Sequence, residues 1–148
     1  TESFRPLSNG VSIGNPDYVR FYFAKEVLTK DDFFVPLDRF ASLGKNAYQD
    51  PAQISQRYSQ ASGLVHFYMH YDNGRYRDAM IDHFAALYRP IDPGFRVGGM
   101  DHFTGVSYAT LSQQYRDYIS SLDSNPNRLA AAIQAAKQKA AQKQAAQQ

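Results

Sequence analysis

Apolar residues recur at spacings of three and four along most of the chain, which is the period of helices buried on one side. Two cap-and-proline pairs mark helix starts, because the capping side chain binds free N–H groups and proline suits the first turn. Asn15-Pro16 predicts a first helix up to Lys30, and Asp50-Pro51 predicts the longest helix, up to Asn73-Gly74. The core-facing residues of the longest helix are predicted to be Ile54, Tyr58, Ala61, Val65, Tyr68 and Met69.

A further helix is predicted from Arg75 to Tyr88, directly after the Asn73-Gly74 break. A connection of two or three residues forces neighbouring helices to run antiparallel, so residues 51–88 are predicted to form an αα-hairpin. The core-facing residues of its second helix are predicted to be Tyr76, Met80, Phe84 and Leu87. A last helix of the domain starts at Ser107, with an apolar stripe of Tyr108, Leu111, Tyr115, Tyr118, Ile119 and Leu122.

The remaining segments of the domain carry weaker patterns. A short helix is predicted from Pro36 to Leu43, with Gly44 in the left-handed conformation just past its end. Residues 89–106 predict an irregular connection with one helical turn, and Val11–Ile13 alternates like a short strand. The predicted fold class is therefore all-α, or the helical lobe of an α+β protein, with about five packed helices.

A change of composition sets off the C-terminal end. After the Asn125-Pro126 cap, residues 129–148 contain nine alanines and six glutamines, a composition that forms a helix without a core. Residues 1–127 carry a net charge of −2, and residues 128–148 carry +4 with no acidic residue. We therefore divide the chain into a helical domain, 1–124, and a basic helical tail, 125–148. A protein partner or neighbouring subunit is expected to bind this tail, whose contact stripe is Leu129, Ile133 and Ala136.

Length and composition narrow the class of protein. The chain has 148 residues, 43% of them hydrophobic, and no cysteine, so one domain with its own core is expected without disulfides. No apolar run approaches the roughly 20 residues of a membrane span, and the near-balance of charge argues against a nucleic-acid surface. The start at Thr1-Glu2 indicates a processed product or a piece of a longer chain, for which we favour an extracytoplasmic location.

His66 and His70 are the most metal-like pair in the sequence, because histidines four residues apart on a helix can bind one ion. The same spacing occurs in the zinc motif H-E-x-x-H, but Phe67 stands where the glutamate base would be. A helical projection places both imidazoles beside a strip of small residues, Ser59, Ser62 and Gly63. The favoured interpretation is structural, with imidazoles that hydrogen-bond to an element approaching over this strip, and a metal site is the alternative.

Other candidate groups also have a structural and a functional interpretation. His83 is expected to be a core histidine with one hydrogen bond, a catalytic role being the alternative. Asp78 and Asp82 are interpreted as solvated acids in the first turns of a helix rather than as an acid–base couple. The 11 tyrosines and 10 phenylalanines are expected to pack in the core rather than form a stacking surface. His102, beside Asp101, has no nucleophile at a recognisable spacing.

Several short segments occur in an order that is typical of a known family. These segments are Gly10–Pro16, Phe34–Phe40, Tyr58–Met69, Asp72–Arg77 and Leu111–Tyr118. Over about residues 8 to 122 the chain resembles the C-terminal helical portion of gluzincin-type, peptidase-MA-like proteins of unknown function. In that family the zinc-binding helix and the glutamate that supplies a third ligand precede the part that is matched here.

The resemblance implies a helical lobe that forms one wall of a substrate cleft. It carries no catalytic residue onto this chain, and His66 and His70 do not align with the zinc histidines of the family. Two hypotheses follow. The preferred one is a non-catalytic lobe that serves as a structural or protein-binding module, with no catalytic, cofactor-binding or metal residue in this chain and no cofactor. The alternative is a metal-dependent hydrolase that uses His66, His70 and an unidentified carboxylate.

Overall fold

A computed structural model describes residues 5–7, 10–12, 19–88 and 96–123, together with residues 127, 130, 131, 134 and 138 of the tail. In chain order the elements are β1 (Arg5–Leu7), β2 (Gly10–Ser12), α1 (Val19–Thr29), α2 (Leu37–Ala41), α3 (Lys45–Tyr48), α4 (Ile54–His70), α5 (Arg77–Leu87), α6 (Met100–Thr104) and α7 (Tyr108–Ser121). The predicted all-α fold is confirmed. The predicted caps at Asn15-Pro16 and Asn125-Pro126 lie outside the described residues.

Two three-residue strands accompany the helices. β1 and β2 pair antiparallel, with Arg5 opposite Ser12 and Leu7 opposite Gly10. The sequence predicts a strand piece at Val11–Ile13 but not its partner, because three residues are too few to show an alternating pattern. This hairpin is small beside the helices, so it leaves the fold class unchanged.

The core lies where α1, α4 and α7 meet. α1 packs along α4, and α7 packs against both of them. Leu111, Tyr115 and Ile119 of α7 are each exposed by 1% or less, which confirms the central positions of the stripe predicted for this helix. Phe67 of α4 is fully buried. The rings that surround it at centroid distances of 4.9 to 5.9 Å are those of Tyr68, Tyr71, Tyr76, Tyr115 and Tyr118.

Gly63 allows these three helices to approach one another closely. A Cβ at this position would lie 2.7 Å from the Tyr115 hydroxyl of α7 and 2.9 Å from the Ala24 Cβ of α1. The predicted close approach over a strip of small residues is therefore confirmed at Gly63. Ser59 and Ser62, the other members of the strip, are half-buried and line the surface between α1 and α4.

A glutamine of α4 holds the extended segment that leads into α2. The Gln60 side chain is buried, its Oε1 accepts the Val35 N–H at 2.9 Å, and its Nε2 donates to the Val35 carbonyl at 2.6 Å. Ser112 of α7 accepts the N–H of Leu37 at 3.1 Å. The segment is thus fixed between α4 and α7 by side chains that satisfy its backbone groups.

The predicted core face of α4 is wrong in part. Tyr58 and Val65 are predicted to be buried but are 46% and 48% exposed. The buried residues of α4 are Arg57, Gln60, Gly63, Leu64, His66, Phe67 and Tyr68. The prediction counts apolar residues only, whereas Arg57 and Gln60 are buried because their side chains hydrogen-bond to backbone groups of neighbouring segments.

The turn between α4 and α5 is tight. Asp72, Asn73 and Gly74 take left-handed conformations, with φ of 47°, 58° and 89°, which these residue types tolerate better than others. The Arg77 guanidinium donates to the Met69 carbonyl across the turn, at 3.0 and 3.1 Å. The break predicted at Asn73-Gly74 is therefore confirmed, while the antiparallel course of the two helices stays a prediction.

Two further predictions are corrected by the structure. Tyr76 and Met80, at the start of the stripe predicted for α5, are buried as predicted, but Phe84 and Leu87, towards its end, are exposed, because the burial of this stripe does not extend past the first half of the helix. Gly44 is extended, with φ of −71°, rather than left-handed. α2 ends at Ala41, and Gly44 leads directly into α3, a helix of four residues that is too short to show a period.

The connection before α7 and the tail agree with the sequence where they are described. The helical turn predicted within residues 89–106 is α6, and residues 89–95 lie outside the described residues. The described tail residues are helical, as predicted, and exposed. They are Asn127, Ala130, Ala131, Gln134 and Gln138, whose spacing places them on one face of a helix. The boundary between domain and tail at 124–125 stays a prediction.

Candidate functional site

His66 and His70 lie in the last two turns of α4, where α1 and α7 pack against it. His66 is 3% exposed, and a hydrogen bond of 2.9 Å joins its Nδ1 to the Tyr118 hydroxyl of α7. The His66 ring also contacts Phe21 of α1, at a centroid distance of 4.2 Å. The predicted hydrogen bond to an element that crosses α4 is therefore confirmed for His66.

His70 is half-buried, and its ring centroid lies 4.7 Å from that of His66. Burial lowers the pKa of His70, and the nearby Arg77 guanidinium lowers it further. Burial also raises the pKa of Tyr118 to about 12. At neutral pH, His70 is therefore mainly uncharged and the Tyr118 hydroxyl keeps its proton, which suits both groups to packing and hydrogen bonding.

A metal ion at this pair would need at least a third ligand. Within residues 19–88 and 96–123, no group of three or more histidine, aspartate or glutamate side chains is placed to hold an ion. Phe67, which occupies the position of the H-E-x-x-H glutamate, is fully buried and can accept no proton. The geometry supports the structural interpretation of the pair better than it supports a hydrolytic metal site.

His83 packs against α6, and His102 is a residue of α6. The His83 ring lies edge-on to Phe103 of α6, with centroids 5.2 Å apart. Its Nδ1 is buried and has no hydrogen-bond partner among the described residues, so the hydrogen bond predicted for His83 is not observed there. His102 is exposed and also lies edge-on to Phe103. Burial is the larger of two causes that raise the pKa of Tyr108, and the nearby Asp101 carboxylate raises it further.

The exposed large hydrophobic side chains of the described residues concentrate on α5. Ile81, Phe84 and Leu87 are 51%, 43% and 49% exposed, and Tyr88, directly after the helix, is 84% exposed. Residues 81, 84 and 88 follow the helical spacing of three and four, so they share one side of the helix. We refer to Ile81, Phe84, Leu87 and Tyr88 as the α5 face.

Charged side chains of both signs lie at the start of α5, where the exposed Arg77 is on the side of the α5 face and Asp78 is next to it. Asp78 and Asp82 are both exposed, as their solvated interpretation predicts. Met80, which lies on the same side of α5 as Phe84 and Leu87, is buried, and the helix packs on α6 and on α4. Sequence reasoning missed the face because it assigned Phe84 and Leu87 to the core. The available signal was Ile81, a large apolar residue that lies off the stripe of Tyr76, Met80, Phe84 and Leu87.

Two open grooves also lie on the surface of the described residues. The groove between α1 and α4, of about 450 Å³, is lined by Arg20, Phe23, Ser55, Tyr58, Ser59 and Ser62. The hydroxyls of Ser59 and Ser62 donate to carbonyls of their own helix, each at 2.9 Å. In the groove between α2 and α7, of about 460 Å³, the Arg116 guanidinium lies 5.5 Å from the centroid of the Phe34 ring. The polar groups of both grooves are thus partly used by contacts within the domain.

Among the described residues, these surfaces include an exposed apolar face on α5. None of its described helices is both long and apolar enough to cross a bilayer. In comparisons with known proteins, the chain matches no protein-family model, no curated protein and no solved structure.

Proposed function

We propose that this chain is a non-catalytic helical lobe that serves as a protein-binding module, with the α5 face as its docking surface. The observation that carries the proposal is the exposure of four large apolar side chains on and just after one helix. Covering apolar surface is favourable by about 25 cal/mol per Å², and contiguous exposed patches commonly mark interaction sites. The exposed Arg77 and Asp78 at the start of the helix supply polar groups at the border of this face, as such interfaces have.

The proposal includes an origin for the lobe in a gluzincin-type, peptidase-MA-like protein. The order of the resembling segments supports it. Two of these segments, Tyr58–Met69 and Leu111–Tyr118, lie on α4 and α7, which meet in the core. In such a protein the lobe would be non-catalytic, and the α5 face would pack on another subunit or on another part of the protein.

A metal-dependent hydrolase has less support, and metal analysis of the purified chain tests it. Under the proposal, the chain holds less than stoichiometric zinc, and its melting temperature is the same with and without a chelator. Stoichiometric zinc would contradict the proposal if it were lost in the His66→Ala and His70→Ala variants and kept in the His83→Ala variant. The His83 control lies on α5, outside the pair.

Photo-crosslinking in the native cell tests the docking surface. A photoreactive phenylalanine analogue at position 84 is expected to give a defined adduct with a polypeptide, because the ring lies on the α5 face. The matched control is the same analogue at position 23, an exposed phenylalanine of α1 with 46% exposure against 43%. Absence of any adduct at position 84, or the same adducts from both positions, would overturn the proposal.

A further inference from the structure

We infer that Asn73 is a deamidation site that the folded turn keeps closed, so that its side-chain amide is lost only when the turn between α4 and α5 opens. The inference goes beyond the proposed function, because it assigns a chemical modification to a residue outside the α5 face. It is carried by the Asn73-Gly74 sequence, by the backbone angles of Asn73, and by the contacts of Arg77 across the turn.

The reaction needs only the two residues and water. The backbone nitrogen of Gly74 attacks the side-chain amide carbon of Asn73, the new C–N bond closes a succinimide ring, and the amide nitrogen leaves as ammonia with the proton that Gly74 loses. Water then opens the ring at either carbonyl, which gives aspartate or isoaspartate at position 73. Glycine hinders the attack least, because it has no side chain next to the attacking nitrogen.

The conformation of Asn73, which is exposed to water, opposes this reaction. Ring closure requires the Gly74 nitrogen to eclipse the Asn73 Cβ about the Cα–C bond. This occurs at a ψ of about −120°, because the Cβ and the backbone nitrogen of an L residue are set about 120° apart around that bond. Asn73 has a ψ of 27°. The nitrogen therefore lies almost opposite the Cβ, and a rotation of about 150° separates the folded turn from the reactive geometry.

Arg77 holds the turn in this conformation. Its guanidinium donates to the Met69 carbonyl at 3.0 and 3.1 Å, which joins the start of α5 to the end of α4. The guanidinium also covers Gly74, since a Cβ at this glycine would lie 2.7 Å from Nη2 and 2.8 Å from Cζ of Arg77. The rotation at Asn73 moves the Gly74 peptide group, so it has to displace this guanidinium. Arg77 should therefore slow the deamidation of Asn73.

The two products differ in whether they fit the turn. The Arg75 N–H donates to the Tyr71 carbonyl at 2.9 Å, and this bond closes the turn over residue 73. Aspartate has the same backbone as asparagine and tolerates the left-handed conformation of Asn73, whose φ is 58°. Isoaspartate lengthens the main chain by one CH2 group inside the closed turn, so the bond from Arg75 to Tyr71 no longer fits. Formation of isoaspartate therefore leaves the turn open, and refolding does not reverse it.

Peptide mapping by mass spectrometry tests the inference on the full chain. Asn9-Gly10 is the same dipeptide and gives a reference rate in guanidinium chloride, where Asn73 and Asn9 should lose their amides within about twofold of each other. In the folded chain, Asn73 should react at least about tenfold more slowly than in denaturant, since only the open fraction reacts. No deamidation of Asn73 in denaturant, or equal rates in the folded and the denatured chain, would overturn the inference.

Matched arginine variants test the role of Arg77. Arg77→Gln removes the bonds to Met69 and should speed the deamidation of Asn73 in the folded chain at least about threefold. The control is Arg75→Gln, which removes the same charge from the same turn but only a surface ion pair, with Asp72 at 3.7 Å, so its rate should stay within about twofold of the original. Both variants should react at the original rate in denaturant. Equal rates of the two variants in the folded state would overturn the role of Arg77.

Hydrogen exchange measures the opening of the turn independently. The Arg75 amide should exchange faster in Arg77→Gln by about the same factor as deamidation, while the core amide of Tyr115 keeps its rate and shows that the variant is folded. In the purified isoaspartate product, the Arg75 amide should exchange at least about tenfold faster than in the original chain, and in Asn73→Asp within about threefold. Faster exchange without faster deamidation, or slow exchange in the isoaspartate product, would overturn the inference.

Discussion

At the scale of single residues, Gly63 decides how closely α1, α4 and α7 pack. The position has room for a hydrogen atom and no more, since Tyr115 and Ala24 occupy the space that a Cβ would take. Tyr115 belongs to α7 and Ala24 belongs to α1, so relief of a clash there would have to move a whole helix or turn a buried ring.

Gly63→Ala is expected to lower the free energy of unfolding by about 1–3 kcal/mol, although alanine is the better helix former. Overpacking against Tyr115 and Ala24 is the reason. Denaturant unfolding measures the change. The control is Gly44→Ala, because no atom lies within 4 Å of the added Cβ there and the φ of −71° suits alanine. Equal effects of the two substitutions would contradict the close approach at Gly63.

His70 makes the stability of the domain depend on pH. Its pKa is lowered in the folded state, so as pH falls the unfolded state binds a proton before the folded state does. The free energy of unfolding should therefore be constant above the ordinary histidine pKa of about 6.5 and decrease below it, down to the lowered pKa of the folded state. His70→Gln should reduce this slope below about pH 6.5. The same slope in both proteins would contradict the assignment.

At the scale of elements, one side chain connects α4 to the segment before α2. Gln60 pairs with both backbone groups of Val35, as a neighbouring β-strand would. Because the glutamine is buried, losing its amide leaves two backbone groups without these partners. Loss of the Gln60 amide should therefore release α2 and the segment before it from the surface of α4.

Gln60→Ala is expected to cost about 2–4 kcal/mol of unfolding free energy, since an unsatisfied buried group costs about 1–3 kcal/mol. Amide hydrogen exchange should show faster exchange at Val35 and across α2. Gln113→Ala is the control, because the exposed Gln113 side chain binds only Asp117 on its own helix. Its effect should stay within about 0.5 kcal/mol. Slow exchange at Val35 in the Gln60 variant would argue against the pairing.

The sequence predicts the existence of the long helices better than it predicts their faces. The period of apolar residues and the Asn73-Gly74 break indicate α4, α5 and α7 within a few residues of their observed bounds. The face of α4 is missed because its core includes Arg57 and Gln60, which a hydrophobic period counts as exposed. Burial of those two side chains depends on backbone groups that are distant in sequence, and no local pattern contains them.

Of the candidate sites, one could be predicted from the sequence and the other could not. The hydrogen bond across the helix interface at His66 follows from small neighbours on the same helix, so the sequence could predict it. The α5 face could not be predicted, because the period shows that Phe84 and Leu87 are apolar and not whether a neighbouring element covers them. Only the structure shows that the burial of Tyr76 and Met80 does not extend to Phe84 and Leu87 on the same stripe.

At the scale of the whole molecule, the domain and tail should respond separately to truncation. At concentrations where the full chain is monomeric, deleting residues 127–148 is expected to change the melting temperature by less than about 2 °C, because the described tail residues are exposed. The same deletion removes the four basic residues and the stripe of Leu129 and Ile133, and should change the association state of the chain. Calorimetry and sedimentation measure the two effects. A large drop in melting temperature on truncation, at a concentration where both proteins are monomeric, would show that the tail packs on its own domain.

The ring cluster around Phe67 gives the protein an internal optical reporter. The chain contains no tryptophan, so its near-ultraviolet absorbance, circular dichroism and intrinsic emission come almost entirely from tyrosine. Five of the 11 tyrosines surround Phe67 at the junction of the helices. The tyrosine dichroism therefore reports the order of the junction without a label, and a single tryptophan placed at Tyr88 would add a spectrally separate probe of the outer surface.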